Sequence, residues 1–144
     1  MPLYKRIHNR FKLNGIHYDR EQMREVAYSF IKEGEPYERV LGDFLTDWLN
    51  EDDYIIARTS GSTGKPKNIK LLKEHMVNSA IATGDFFDIY PSDRALLCLP
   101  GNYIAGKMML IRAIILGLEL DLTEPTLSPI FDNLKPYAFC SMLP

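Results

Sequence analysis

From Tyr54 to Leu143, short apolar runs of β character alternate with longer stretches of helical character, and this alternation constrains the fold more than any other feature. Tyr54–Thr59 (YIIART) and Asn68–Leu72 (NIKLL) are β-type runs flanking a loop rich in Gly, Ser and Thr, a pattern that predicts a hairpin around that loop. A helix follows over 74–87, weakened in its last turn by Gly84. RALLCL at 94–99 reads as a buried strand, 104–116 as a helix ended by Gly117, LELDL at 118–122 as a strand, 130–134 as a short helix, and YAFCSML at 137–143 as a final strand. Strands alternating with helices predict βα units on a largely parallel sheet, an α/β architecture.

The first third reads as helical. Asp19 with Gln22 resembles a capping box, and Met23, Val26, Ala27, Phe30 and Ile31 recur at helical spacing before Gly34 stops the helix. Pro36 suits a second helix start, after which Tyr37, Val40, Leu41, Phe44, Leu45, Trp48 and Leu49 form one apolar stripe. Two amphipathic helices joined by a short turn must cover something else, since they cannot form a whole core.

Composition excludes several classes. The 144 residues are 46% hydrophobic and 25% charged, a globular balance, and the net charge of −2 exerts no general pull toward nucleic acid or an anionic membrane. Cys98 and Cys140 stand far apart with no C-x-x-C pair, which excludes a disulfide scaffold or zinc ribbon and fits a reducing cytoplasm, the expected location. The basic N-terminus MPLYKRIHNRFKLNG lacks a signal peptide's apolar stretch. The apolar segment from Tyr103 to Leu122 is interrupted by Lys107 and Arg112, so no membrane span is expected.

The segment Thr59-Ser60-Gly61-Ser62-Thr63-Gly64-Lys65-Pro66-Lys67 carries the chemistry. Its glycines allow close backbone approach, its four hydroxyls can donate to anionic oxygens, and Lys65 and Lys67 add positive charge. Converging donors with neutralising ammonium groups are what a polyphosphate requires. It is not a Walker A loop, because Thr59 and Pro66 stand where that pattern needs a glycine and a hydroxyl. The competing reading is an ordinary polar hairpin loop.

TSGSTGKPKNI resembles the phosphate-binding signature of the adenylate-forming superfamily, which includes acyl-CoA synthetases, luciferases and adenylation domains of peptide synthetases. Asn68 departs from it, since most members carry glycine there. Leu99-Pro100-Gly101-Asn102-Tyr103-Ile104-Ala105-Gly106 resembles the family's next motif, with Tyr103 where many members have histidine. Within the superfamily, the short region before the loop and the run NYIAGKMMLIRAIILGLEL resemble o-succinylbenzoate–CoA ligases of menaquinone biosynthesis.

The resemblance implies an acid–thiol ligase that couples a carboxylic acid to ATP, with magnesium, to form an acyl-adenylate, and then transfers the acyl group to coenzyme A. It assigns Ser60, Ser62 and Thr63 as hydroxyl donors to phosphate, Gly61 and Gly64 as close-approach positions and Lys67 as the neutralising cation, beside Thr59 and Lys65. It makes residues 1–52 an N-terminal helical segment and residues 53–144 the start of a truncated AMP-binding domain. Magnesium, ribose and thioester-forming residues are then expected beyond Pro144, leaving the fragment inactive and its catalytic residues unassigned. Alternatives are a ligase for another aryl or acyl substrate, an adenylation domain loading a carrier protein, or a non-catalytic phosphate-binding or assembly module.

Other residues read more plainly. Tyr103 is either an aromatic cover at a strand end or a substrate contact. Lys107, just after Gly106, either pairs with a substrate carboxylate or extends to solvent from a first helical turn, and the second is the simpler reading. Met108 and Met109 are expected in the core, and Cys98 and Cys140 as inert buried thiols. His8, His17 and His75 lack ligand spacing, Glu51-Asp52-Asp53 reads as a solvated turn, and no metal site is expected. An apolar last strand on an unfinished sheet predicts a homodimer or higher oligomer.

Overall fold

A computed structural model describes residues 2–59, 65, 67–98, 104–124 and 139–141. The helical first third forms as its sequence dictates. Asp19 accepts from the Gln22 amide at 2.8 Å while Gln22 Oε1 accepts from the Asp19 amide at 2.9 Å, opening α1 (Arg20–Glu33). At its end the Gly34 amide donates to Phe30 O. Helix α2 (Pro36–Trp48) starts on its proline and buries Leu41, Phe44, Leu45 and Trp48 along the expected stripe. Gly42 lets the two helices approach closely, because a Cβ there would lie 2.7 Å from the Ala27 carbonyl oxygen.

Two sheets follow. Strands β2 (Tyr54–Thr59) and β3 (Lys67–Leu72) pair antiparallel from Tyr54↔Leu72 to Thr59↔Lys67, which is the expected hairpin. Helix α3 (Lys73–Phe86) continues directly from β3, one residue earlier at each end than its sequence predicted. The second sheet has the order β1-β5-β4-β6, built from β1 (Lys12–Leu13), β4 (Arg94–Leu97), β5 (Glu119–Leu122) and β6 (Phe139–Ser141), and every pairing in it is parallel. Helix α4 (Ile104–Leu116) supplies the crossover between β4 and β5 and buries Met108, Met109, Leu110, Ile111, Ala113 and Ile114. The expected mixed α/β fold with a parallel sheet is present. The short helix expected over 130–134 lies outside the described residues.

One strand corrects the reading of the first third as wholly helical. Phe11 and Leu13 are buried, and Lys12 N and Asn14 N donate to Leu118 O and Leu120 O, adding β1 to the sheet. The chain then turns through Asn14 and Gly15, both at positive φ. Two residues carry no periodicity, so only pairing with β5 makes them a strand. A single apolar cluster joins Phe11, Met23, Trp48, Ile55, Leu97 and Ile111, so the N-terminal helices share their core with the sheet.

Candidate functional site

The β2 and β3 strands flank the segment rich in Gly, Ser and Thr. Because Thr59 and Lys67 are their last paired residues, the intervening segment leaves and re-enters on adjacent strands. Ser60, Gly61, Ser62, Thr63, Gly64 and Pro66 lie outside the described residues, as does Tyr103. Lys65 and Lys67 are exposed, and so are Arg58 and Lys70 on the stem. From Tyr54 to Leu72 there is no Asp or Glu, so four cations concentrate on one hairpin of a chain whose net charge is −2. Lys70 stands 4.5 Å from the centroid of the Tyr54 ring. The contribution of Arg58 and Lys70 escaped motif reading. A local charge count over the hairpin was the signal that could have found it.

Gly106 and Lys107 occupy the first turn of α4. Gly106 is buried and Lys107 half-buried, its ammonium 5.9 Å from the Phe44 ring centroid on α2. Burial pushes Lys107 below the usual lysine range, and the Asp47 carboxylate opposes that shift. The hairpin and the start of α4 are joined by a groove of about 460 Å³, within the range of small-molecule sites, lined by Lys70, Leu72, His75, Met76, Ile104 and Met108 among others.

The remaining residues take structural positions. Met108, Met109 and Cys98 are buried. His17 Nδ1 lies 2.7 Å from Phe11 O, and His8 Nδ1 accepts from the Arg10 amide. Glu51, Asp52 and Asp53 are exposed, but Glu51 also accepts from Lys5 at 3.0 Å and lies 3.8 Å from Arg20, so the turn is fastened to the N-terminus as well as solvated. The hydrogen bond and charge of Lys5 hold the Glu51 carboxyl below its usual range. Among the described residues no three or more His, Cys, Asp or Glu side chains gather as a metal site, and no helix is long and apolar enough to cross a membrane.

A solved AMP-forming acyl-CoA synthetase/AMP-acid ligase II-like protein from Dyadobacter fermentans is 39% identical with a TM-score of 0.61, over 72% of this chain and 29% of that one. The chain resembles the N-terminal domain of AMP-binding enzymes. A hybrid PKS-NRPS synthetase of Aspergillus niger is 37% identical over 59 residues, 41% of this chain and 2% of that protein. The o-succinylbenzoate–CoA synthetase of Bacillus subtilis, solved with AMP, is 31% identical over 49% of this chain and 19% of its own, with a TM-score of 0.46. No protein-family model matches the chain. The chain thus spans under a third of the length of each of these relatives.

Proposed function

We propose that the polypeptide containing this chain activates a carboxylic acid, o-succinylbenzoate, with ATP and transfers it to coenzyme A in menaquinone biosynthesis. The observation that carries this reading is the hairpin: a stem with three cations and no acid, closing on a segment of hydroxyls, glycines and Lys65. A carboxylate oxygen attacks the α-phosphorus, the bond to the bridging oxygen breaks, and pyrophosphate leaves with the electron pair. The thiol sulfur then bonds to the acyl carbon, its proton passes to solvent, and AMP leaves.

In this reading Ser60, Ser62 and Thr63 donate to the β- and γ-phosphates, Gly61 and Gly64 allow close approach, and Lys67, with Thr59 and Lys65 beside it, offsets charge on the leaving pyrophosphate. Tyr103, Gly106 and Lys107 are the proposed acyl-side contacts. No carboxylate stands among these residues, so magnesium is not assigned to them. The 144 residues alone are proposed to be inactive. The Aspergillus likeness supports a second acceptor, a carrier-protein thiol in place of coenzyme A.

Replacing Ser62, Thr63 and Lys67 together by alanine in the full polypeptide should abolish acid-dependent ATP–pyrophosphate exchange, since one such donor commonly contributes about 2.7–4 kcal/mol. Exchange at the unmutated rate in the triple variant would remove the assignment. Comparing o-succinylbenzoate with other aryl and fatty acids, and coenzyme A with a carrier protein, decides substrate and acceptor.

A further inference from the structure

Lys73 is fully buried, the one charged side chain in the core among the described residues. An unpaired ammonium there would cost several kcal/mol. It is instead held on several sides. Its Nζ donates to Asn50 Oδ1 at 2.9 Å and lies 5.9 Å from the ring centroids of both Tyr4 and Trp48. Its own amide donates to Asp53 O at 2.9 Å, one residue before β2 begins. Lys73 also directly follows β3, so one residue touches both strand ends at the base of the hairpin and, through Asn50, the end of α2. Asn50 is fixed in turn: its Oδ1 accepts from the Asp52 amide, and Arg20 donates to Leu49 O and Asn50 O.

The hairpin needs such a fastening. Two strands alone are marginally stable in water, and among the described side chains of the stem only Ile55 and Ala57 are buried. A methionine would fill the Lys73 site without burying charge, so packing alone does not account for the lysine. We propose that Lys73 is a positioning residue, which pins the base of the β2–β3 hairpin to the end of α2 and thereby orients the loop the hairpin presents. Its consequence for nucleotide rests on the phosphate-loop reading above. The fastening itself does not.

The test compares amide hydrogen exchange in the chain and in its Lys73→Met, Asn50→Ala and Asn50→Asp variants, and MgATP affinity in the full polypeptide. Loss of a hydrogen bond to a charged group should speed exchange of hairpin amides at 54–59 and 67–72 by about tenfold or more. Amides of β4 and β5 should stay as they are. Asn50→Ala should reproduce the effect while Asn50→Asp, which keeps an acceptor for the ammonium, should restore slow exchange, and MgATP affinity should follow the same order. Unchanged hairpin exchange in both Lys73→Met and Asn50→Ala, or equal acceleration across hairpin and sheet, overturns the proposal. If Lys73→Met does not fold, the two Asn50 variants decide. Should the unmutated polypeptide fail to bind MgATP, the phosphate-loop reading falls while the exchange data still judge Lys73.

Discussion

Two helical glycines should respond oppositely to alanine. At Gly42 an added Cβ meets the Ala27 carbonyl oxygen at 2.7 Å, Phe30 Cβ at 2.9 Å and Ile31 Cγ1 at 3.0 Å. The first of these is main chain of α1, so relief requires the two helices to separate by several tenths of an ångström. Overpacking of that kind costs about 1–3 kcal/mol, against roughly 1 kcal/mol returned by alanine's helix propensity. Gly42→Ala should therefore lose up to about 2 kcal/mol, at about 3 °C of Tm per kcal/mol for a chain of this size. At Gly84 the nearest atoms are the Cδ methyls of Leu116 at 3.0 and 3.1 Å, the far end of a partly buried side chain that can turn aside. Gly84→Ala should then keep most of the propensity gain and match or exceed the unmutated stability. Urea unfolding followed by far-ultraviolet circular dichroism, and by the emission of the single tryptophan Trp48, measures both. A Gly42→Ala midpoint at or above that of the unmutated chain, or a larger loss at Gly84, would refute the reasoning.

Other outcomes follow from the same structure. Arg20→Ala removes donors to Lys5 O, Leu49 O and Asn50 O and should cost about 1–2 kcal/mol by urea melts, with Arg20→Lys recovering little because one ammonium cannot span three acceptors. Burial depresses Lys73 below 10.5, so the unfolded chain binds more protons between the folded value and 10.5 and this contribution to stability rises with pH in that window; Lys73→Met should flatten the slope, and an unaltered slope would count against the burial effect. Desolvation raises Tyr37 above 10.0, which acts in the opposite sense as pH passes 10. Self-association is expected, because β6 is an edge strand among the described residues and Phe86, 79% exposed, stacks edge-on with the exposed Phe87; light scattering should give a dimer or larger mass that falls on joint Phe86→Ser and Phe87→Ser substitution, and a monomer mass for the unmutated chain would contradict this.

Local signals determined much of this molecule. The Asp19–Gln22 box, Pro36 and the stripe from Tyr37 to Leu49 specify α1 and α2 because capping and amphipathic periodicity act within a few residues. The largely apolar runs at 94–99 and 104–116 likewise read directly as buried strand and helix, and the type and spacing of the loop's hydroxyls, glycines and lysines carry the phosphate role proposed for them. Tertiary structure alone decided the rest. Lys12 and Leu13 become a strand only because β5 offers a parallel edge to them, a contact over more than a hundred residues that no local pattern records. Lys73, which a sequence places on a surface by default, is buried because Tyr4 from the N-terminus and Trp48 and Asn50 from the end of α2 arrive from two separate segments to surround it. Lys107 turns to Phe44 and the field of Asp47 for the same reason: what an ammonium meets inside a fold depends on which elements pack against its helix, and that is settled by the whole chain.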